Sequence, residues 1–441
     1  MAQRRLGIIV GGGPAPGINA VIGAATIEAI NRGFEVIGLY DGFRWLVHER
    51  FDPAEHAVRL LIPMVARVHF EGGSILRTSR TNLLDETKLK SSTVVVPDPT
   101  KIQRVVANLD RLGIDALLTI GGDDTALSAR FICDAGGGRI RVVHCPKTID
   151  NDLPLPHGAA TFGFSTARFI GTQLVKNLMR DSQTTGRWYF VTAMGRTAGW
   201  LAQSIGQAAG ATVTLIPEEF PANTSVAHLA DVLEGAIFKR RTQGRPDGVA
   251  VIAEGLAYRL GDREELERLL GREVPVDAFG HPRLAEIPLV EMLKREIEQR
   301  FRARKESLSI VTHVVGYELR SADPTPQDMS YCRSLGWGAV QLLLQESATM
   351  GAGKMVTLIN ENLVPMDFHE MIDPATNRTR VRVVNIDSDN YRVARAYQIR
   401  LEREDIENAD KLAALAAEAK MSPEDFRQRY ERAATRLHDM A

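Results

Sequence analysis

DALLTIGGDDTALSARFICDAGGGRIRVVHCPKTIDNDLP, residues 115–154, is the stretch of this 441-residue chain from which the fold can be read. The apolar run from Ala116 to Ile120 predicts a strand that stops at Gly121-Gly122-Asp123-Asp124-Thr125. A helical pattern follows from Ala126 to about Asp134. A second strand, Ile140 to Cys145, stops at Pro146-Lys147-Thr148-Ile149-Asp150-Asn151-Asp152. Strand, helix, strand implies a parallel pair joined by a crossover. Both polar motifs then fall at the carboxyl ends of their strands, where open α/β sheets gather ligands.

The two motifs carry complementary chemistry. Gly121 and Gly122 have no side chains, so backbone N–H groups can approach a phosphate at a helix start. Asp123 and Asp124 bring negative charge there, which suits a Mg²⁺ ion between protein and phosphate. Asp150 and Asp152 each offer a carboxylate able to take a proton from a hydroxyl. Lys147 offers a compact cation for phosphate oxygens. Together these are the parts that phosphoryl transfer needs. Either motif by itself also reads as ordinary turn chemistry; the pair on adjacent strand ends does not.

Outward from this unit the same pattern recurs. Leu6 to Val10 predicts a strand running into Gly11-Gly12-Gly13-Pro14-Ala15-Pro16-Gly17, a second phosphate-cradle candidate. It is not a P-loop, because Ile18 stands where the lysine should be. Residues 72–80, GGSILRTSR, combine a glycine turn, hydroxyls and the arginines Arg77 and Arg80. Ser165 or Thr166 predicts the N-cap of a helix running to about Asp181. The strand from Arg187 to Ala193 ends in Met194-Gly195-Arg196, and that from Gly248 to Ala253 ends in Glu254. A further strand ends in Gly316-Tyr317-Glu318-Leu319-Arg320. Residues 401–441 are charged and Ala-rich with helical periodicity and show no chemistry.

Composition narrows the class. Lys and Arg number 54 against 55 Asp and Glu, a net charge of −1, which argues against a nucleic-acid binder. No apolar run approaches the roughly 20 residues of a membrane span. The start, MAQRRLGIIVGGG, reads as a first strand and not a signal peptide. Three cysteines without CxxC spacing support neither a disulfide framework nor a zinc site. A cytoplasmic enzyme is the expectation.

GGDDT followed by PKTIDND resembles the phosphofructokinase family, and Asp124 with Lys147 resembles its pyrophosphate-dependent branch. The resemblance spans about residues 5–400. It implies two doubly wound, Rossmann-like, three-layer α/β domains with the active site in the cleft between them, plus a helical C-terminal extension. The donor domain would be 1–161 with 319–352, the sugar-phosphate domain 162–318 with 353–400, and the extension 401–441. It implies Mg²⁺-dependent phosphoryl transfer from pyrophosphate to the 1-hydroxyl of fructose 6-phosphate. Asp150 would be the base, Asp123 the metal-side carboxylate and Gly12 part of the cradle. Arg80 would lie near the donor. Asp124 and Lys147 would select the donor. Thr148, Ile149, Met194, Gly195, Arg196, Glu254, Tyr317, Glu318, Leu319 and Arg320 would hold the sugar phosphate. Arg187 would reach the sugar phosphate of a neighbouring subunit in a homodimer or homotetramer. An ATP-dependent phosphofructokinase and a non-catalytic regulatory subunit are the alternatives; loss of the base or metal carboxylate would mark the latter, and neither is lost.

Overall fold

A computed structural model describes residues 4–85, 94–261, 263–273, 287–345 and 353–434. The chain splits into two compact units, Met1–Ala167 with Tyr317–Arg382 and Arg168–Gly316 with Val383–Ala441. Strands are numbered in chain order.

Among the described residues, the first unit has an eight-stranded sheet. Its strands are β1 (Arg5–Val10), β2 (Glu35–Leu39), β3 (Ala57–Leu60), β4 (Ala116–Gly121), β5 (Arg141–Thr148), β6 (Phe162–Gly163), β11 (Lys354–Ile359) and β12 (Asn362–Asp367). The order is β12-β11-β5-β4-β1-β2-β3, with β6 on the end of β5. Pairing is parallel from β11 to β2, and β12 and β3 add antiparallel edges. Side chains alternate along a strand, so β4 serves two cores. Leu117 packs into one with the helices Pro99–Arg111 and Asp123–Gly136. Ala116, Leu118 and Ile120 pack into the other with the helices Ile18–Asn31 and Pro326–Leu344. This is the expected three-layer arrangement.

The second unit has four parallel strands among its described residues: β7 (Trp188–Ala193), β8 (Val213–Leu215), β9 (Gly248–Ala253) and β10 (Ile310–Val315). Their order is β10-β7-β9-β8. Trp188, Phe190, Ala250 and Ile252 form a core with the helices Val226–Thr242 and Leu289–Ala303.

Several local expectations need correction. The chain changes unit at 167/168 and 316/317, near the anticipated 161 and 319, but the third change falls at 382/383, well past 353. The reason is β11, whose Met355 and Val356 are fully buried, one in each core of the first sheet, so the strand belongs beside β5. The 401–441 stretch is not an appendage. Leu412, Leu415, Phe426 and Tyr430 are part of the second unit's core; residues 435–441 lie outside the described residues. The helix Phe164–Thr185 starts before Ser165, and its first turn is capped from afar. Asp328 accepts from Gly163 N (3.0 Å), Thr166 N (2.7 Å) and Thr166 Oγ1 (2.6 Å).

Candidate active site

The signature residues lie within elements more than in loops. Asp123 and Asp124 form the first turn of the helix Asp123–Gly136, whose N-cap is Gly122. Carboxylates are favoured there by the helix dipole. β5 continues past Cys145 to Thr148, because Gly121 pairs with Pro146 and β6 pairs with Lys147 and Thr148. Lys147 is therefore a buried strand residue, paired with Phe162 of β6.

Three loops converge at these strand ends. Gly11 N donates to Ile120 O (2.9 Å) and Gly12 N to Ser79 O (2.8 Å), while Thr78 Oγ1 donates to Gly12 O (2.6 Å). The 77–80 stretch is thus laid against the glycine loop. Asn19, fully buried, accepts from Ile75 N (2.9 Å) and donates to the carbonyls of Glu71 and Gly72, anchoring the other end of the same segment. The glycines have little room for a side chain. A Cβ on Gly11 would lie 2.4 Å from Thr125 Oγ1, and one on Gly13 would coincide with the Arg320 guanidinium, 1.3 Å from Nη2. Gly12 is left-handed at φ 79°.

Two cations press on that loop. Lys147 Nζ donates to Gly13 O and lies 3.2 Å from where a Gly12 Cβ would be. Burial first, and Arg320 after it, lower the Lys147 pKa to about 8, with Asp150, Asp123 and Asp152 offsetting only part of the shift. Asp150, Asn151 and Asp152 are all buried, at 7, 5 and 6 % exposure. Asp150 N donates to Thr148 Oγ1 (3.0 Å). Beneath the motif is a residue the sequence reading passed over. His144, fully buried on β5, accepts at Nδ1 from the Thr119 hydroxyl (2.8 Å) and donates from Nε2 to Gly121 O (3.0 Å). The carbonyl fixes this tautomer, since it can only accept. Burial holds the His144 pKa down to about 3, so the ring stays neutral.

In the second unit, Met194–Arg196 follow β7 and Glu254 follows β9. Glu254 Oε1 accepts from Gly195 N (3.1 Å) and Arg196 N (2.7 Å), and Arg196 is exposed and held at φ 52°. Arg196 and Glu254 line a cavity of ≈570 Å³ with Thr192, Tyr258, Thr312 and His313.

Residues 5–343 match the description "Phosphofructokinase". The chain belongs to the phosphofructokinase family. It is 53% identical over 430 residues to the pyrophosphate--fructose 6-phosphate 1-phosphotransferase of Thermotoga maritima, covering 98% of each chain. It is 43% identical to the enzyme of the same name from Naegleria fowleri, covering 96% of this chain and 94% of the other. The solved pyrophosphate-dependent phosphofructokinase of Marinobacter aquaeolei superposes with a TM-score of 0.62 at 16% identity, over 95% of this chain and 92% of that one. That last likeness concerns the fold.

Within this phosphofructokinase the anticipated residues fall into distinct groups. Gly12, Asp123, Asp124, Lys147, Thr148 and Asp150 belong to the strand ends of the first unit. Arg320 joins them there, over Gly13, although the family resemblance assigned it to the sugar phosphate. Its guanidinium also lies over Tyr317, which is 73% exposed. Glu318 is exposed. Ile149 and Leu319 are core side chains that can offer a ligand only main-chain atoms. Arg80 is exposed, and Arg77 pairs with Asp41 (3.5 Å) and overlies Tyr40. Arg187 precedes β7, beside Tyr189, at the opposite end of that strand from Met194. Six residues of strand span about 20 Å, so within one chain Arg187 and Arg196 cannot meet at one phosphate. The three cysteines are free and buried, and no described helix is long and apolar enough to cross a membrane.

Proposed function

We propose that this chain transfers a phosphoryl group from pyrophosphate to the 1-hydroxyl of fructose 6-phosphate, giving fructose 1,6-bisphosphate and phosphate, reversibly. The observation that carries the reading is Lys147: a buried ammonium whose Nζ lies on the Gly12–Gly13 cradle beside Arg320. Two cations held side by side against bare backbone suit phosphate oxygens, and Asp150, Asp123 and Asp152 offset only part of the cost of burying Lys147. The near-full-length likeness to two enzymes named for this reaction supports it.

The donor's phosphates are received at the helix start at Asp123, against the bare backbone of the Gly12–Gly13 loop. Lys147 and Arg320 offset charge on the leaving phosphate, which in pyrophosphate is not spread into a nucleotide chain. Asp124, in the first helical turn, excludes a third phosphate by repulsion. Asp150 takes the proton of the sugar 1-hydroxyl as its oxygen bonds to phosphorus and the bridging bond to the leaving phosphate breaks. Arg196 holds the sugar phosphate from the wall of its cavity, with the loop held by Glu254. Arg187 serves the sugar phosphate of a neighbouring subunit in a homo-oligomer.

A divalent cation fits the donor set. Among the described residues no group of three or more His, Cys, Asp or Glu forms a dedicated metal cage. Mg²⁺ is commonly held by one or two carboxylates plus substrate phosphates, and Asp123 supplies such a carboxylate. When bound, Mg²⁺ would neutralise charge on the phosphate oxygens. Coupled assays with fructose 6-phosphate, run in parallel with pyrophosphate and with ATP, test the reading. Turnover with pyrophosphate is expected; efficient turnover with ATP and none with pyrophosphate would overturn it.

A further inference from the structure

The loop that carries Asp150 is held by a residue 231 positions away from Asn151 in sequence. Arg382 donates from Nε (3.0 Å) and Nη2 (2.8 Å) to the Asn151 carbonyl, and from Nη1 to the Ala159 carbonyl (2.8 Å). Its own N–H donates to Asp152 O (2.7 Å). A guanidinium presents rigid, coplanar donors, so these bonds fix both the position and the tilt of the Asn151 peptide. Asn151 is also left-handed, at φ 57°. Asn adopts this conformation more readily than most side chains, and its surroundings hold it there. Here the surroundings are Arg382 on the carbonyl and Thr161 N on Asn151 Oδ1 (3.1 Å). Thr161 Oγ1 in turn donates to Thr148 O (2.7 Å), closing a frame around residues 148–152.

We propose that Arg382 is a positioning residue for the transfer reaction. It locks the Asn151 peptide, and thereby sets the direction in which the preceding residue, Asp150, presents its carboxylate. This rests on the reading of Asp150 as the base. The stretch around Arg382 has a matching contact two residues on, inside the second unit. Val384 N donates to Glu218 Oε1 (2.9 Å), which also accepts from Gly199 N (2.9 Å) at the end of the loop that bears Arg196. One short segment is therefore tied to a substrate-handling loop in each unit.

The test compares wild type, Arg382→Ala and Arg382→Lys with pyrophosphate and fructose 6-phosphate, recording kcat and both KM values. A base displaced by about 1 Å loses on the order of 100-fold in rate. Arg382→Ala is expected to lower kcat about 10–100-fold with both KM values nearly unchanged, the mark of an interaction that acts on the reacting geometry. Added guanidinium chloride, at concentrations that leave the fold intact, should restore part of that kcat. Arg382→Lys keeps charge and bulk but not the fork, and should lose kcat without rescue. If the alanine variant does not fold, the lysine variant decides: wild-type kcat there overturns the proposal. A loss confined to KM, or a guanidinium-insensitive loss in the alanine variant, also overturns it. A wild-type protein without turnover on this substrate pair would instead remove the functional reading on which the proposal stands.

Discussion

Two buried charge clusters, one in each unit, use similar residues to opposite effect. In the second unit Glu234 is fully buried and accepts from Arg300 Nη1 (3.0 Å), from Arg304 Nη2 and from Tyr430 Oη (2.8 Å). Arg300 also reaches Asp231 (2.8 Å) and Glu296 (2.9 Å). Burial works against the Arg300 charge, yet Glu234, Asp231 and Glu296 outweigh it and raise its pKa. In the first unit burial and Arg320 win over three carboxylates, and the Lys147 pKa falls to about 8. The first cluster is electrostatically complete and joins the tail to its core. The second leaves its buried lysine disfavoured as a cation despite three carboxylates, a state that contact with phosphate oxygens would relieve. A perturbed cation is thus informative through the direction of its shift more than through burial, since structural ion pairs are buried too.

Breaking the closed cluster at its source should have the largest effect. Deleting residues 409–441 removes Leu412, Leu415, Phe426 and Tyr430 from the second unit's core. At about 1.5–3 kcal/mol each, that approaches the whole stability of an ordinary domain, about 5–15 kcal/mol. The truncated protein is expected to be insoluble or to lack a cooperative calorimetric transition; a soluble form melting like the full chain would show the tail to be dispensable.

Breaking the open cluster should instead spare the fold and remove the chemistry. Asp150→Asn is expected to lower kcat by about 10²–10⁴ with little change in the sugar-phosphate KM. Steady-state kinetics checks this, and near-normal kcat would remove Asp150 from its role.

The sharpest contrast is a difference of sign. Glu234→Ala leaves Arg300 and Arg304 without their shared carboxylate and should destabilise by about 3–5 kcal/mol. Lys147→Met should stabilise the free protein at pH 7 by about 1–3 kcal/mol, because it removes a charge that burial disfavours. The folded-state pKa of Lys147, about 8, lies below the ordinary lysine value of 10.5. From pH 8 to 10.5 the unfolded chain holds the extra proton, so wild-type stability rises with pH and the gain from Lys147→Met fades across that window. Denaturant unfolding at pH 7 and pH 10 measures both; two destabilising substitutions would erase the contrast.

What the sequence made legible follows the same division. GGDDT, PKTIDND and the triple glycine state their chemistry locally, because a phosphate cradle needs bare backbone and adjacent carboxylates whatever surrounds them. The parallel layers were equally readable from short apolar runs ending in glycine. Hidden were the contacts that join distant segments. Asp328 capping the helix at Phe164, Arg382 on Asn151 and β11 beside β5 each depend on partners more than 150 residues away, and no periodicity announces them. His144 reads as a polar residue inside an otherwise apolar stretch, Val142 to Cys145, which was the available signal for a buried residue with both ring nitrogens engaged. The tail carried helical periodicity, but periodicity does not say which core a helix enters.

Lys147 is held short of its normal basicity until the donor's phosphate meets it. The direct measurement is the pH titration of the Lys147 side chain by NMR on ¹³C-lysine-labelled protein, with Lys147→Met assigning the signal. It would be run free and with methylenediphosphonate as a non-transferable pyrophosphate analogue. A pKa near 8 is expected in the free protein, with a rise of at least about one unit on binding, since an opposite charge within contact distance favours the charged form. A free-protein pKa at the ordinary lysine value, or one that the diphosphonate leaves unmoved, would contradict it.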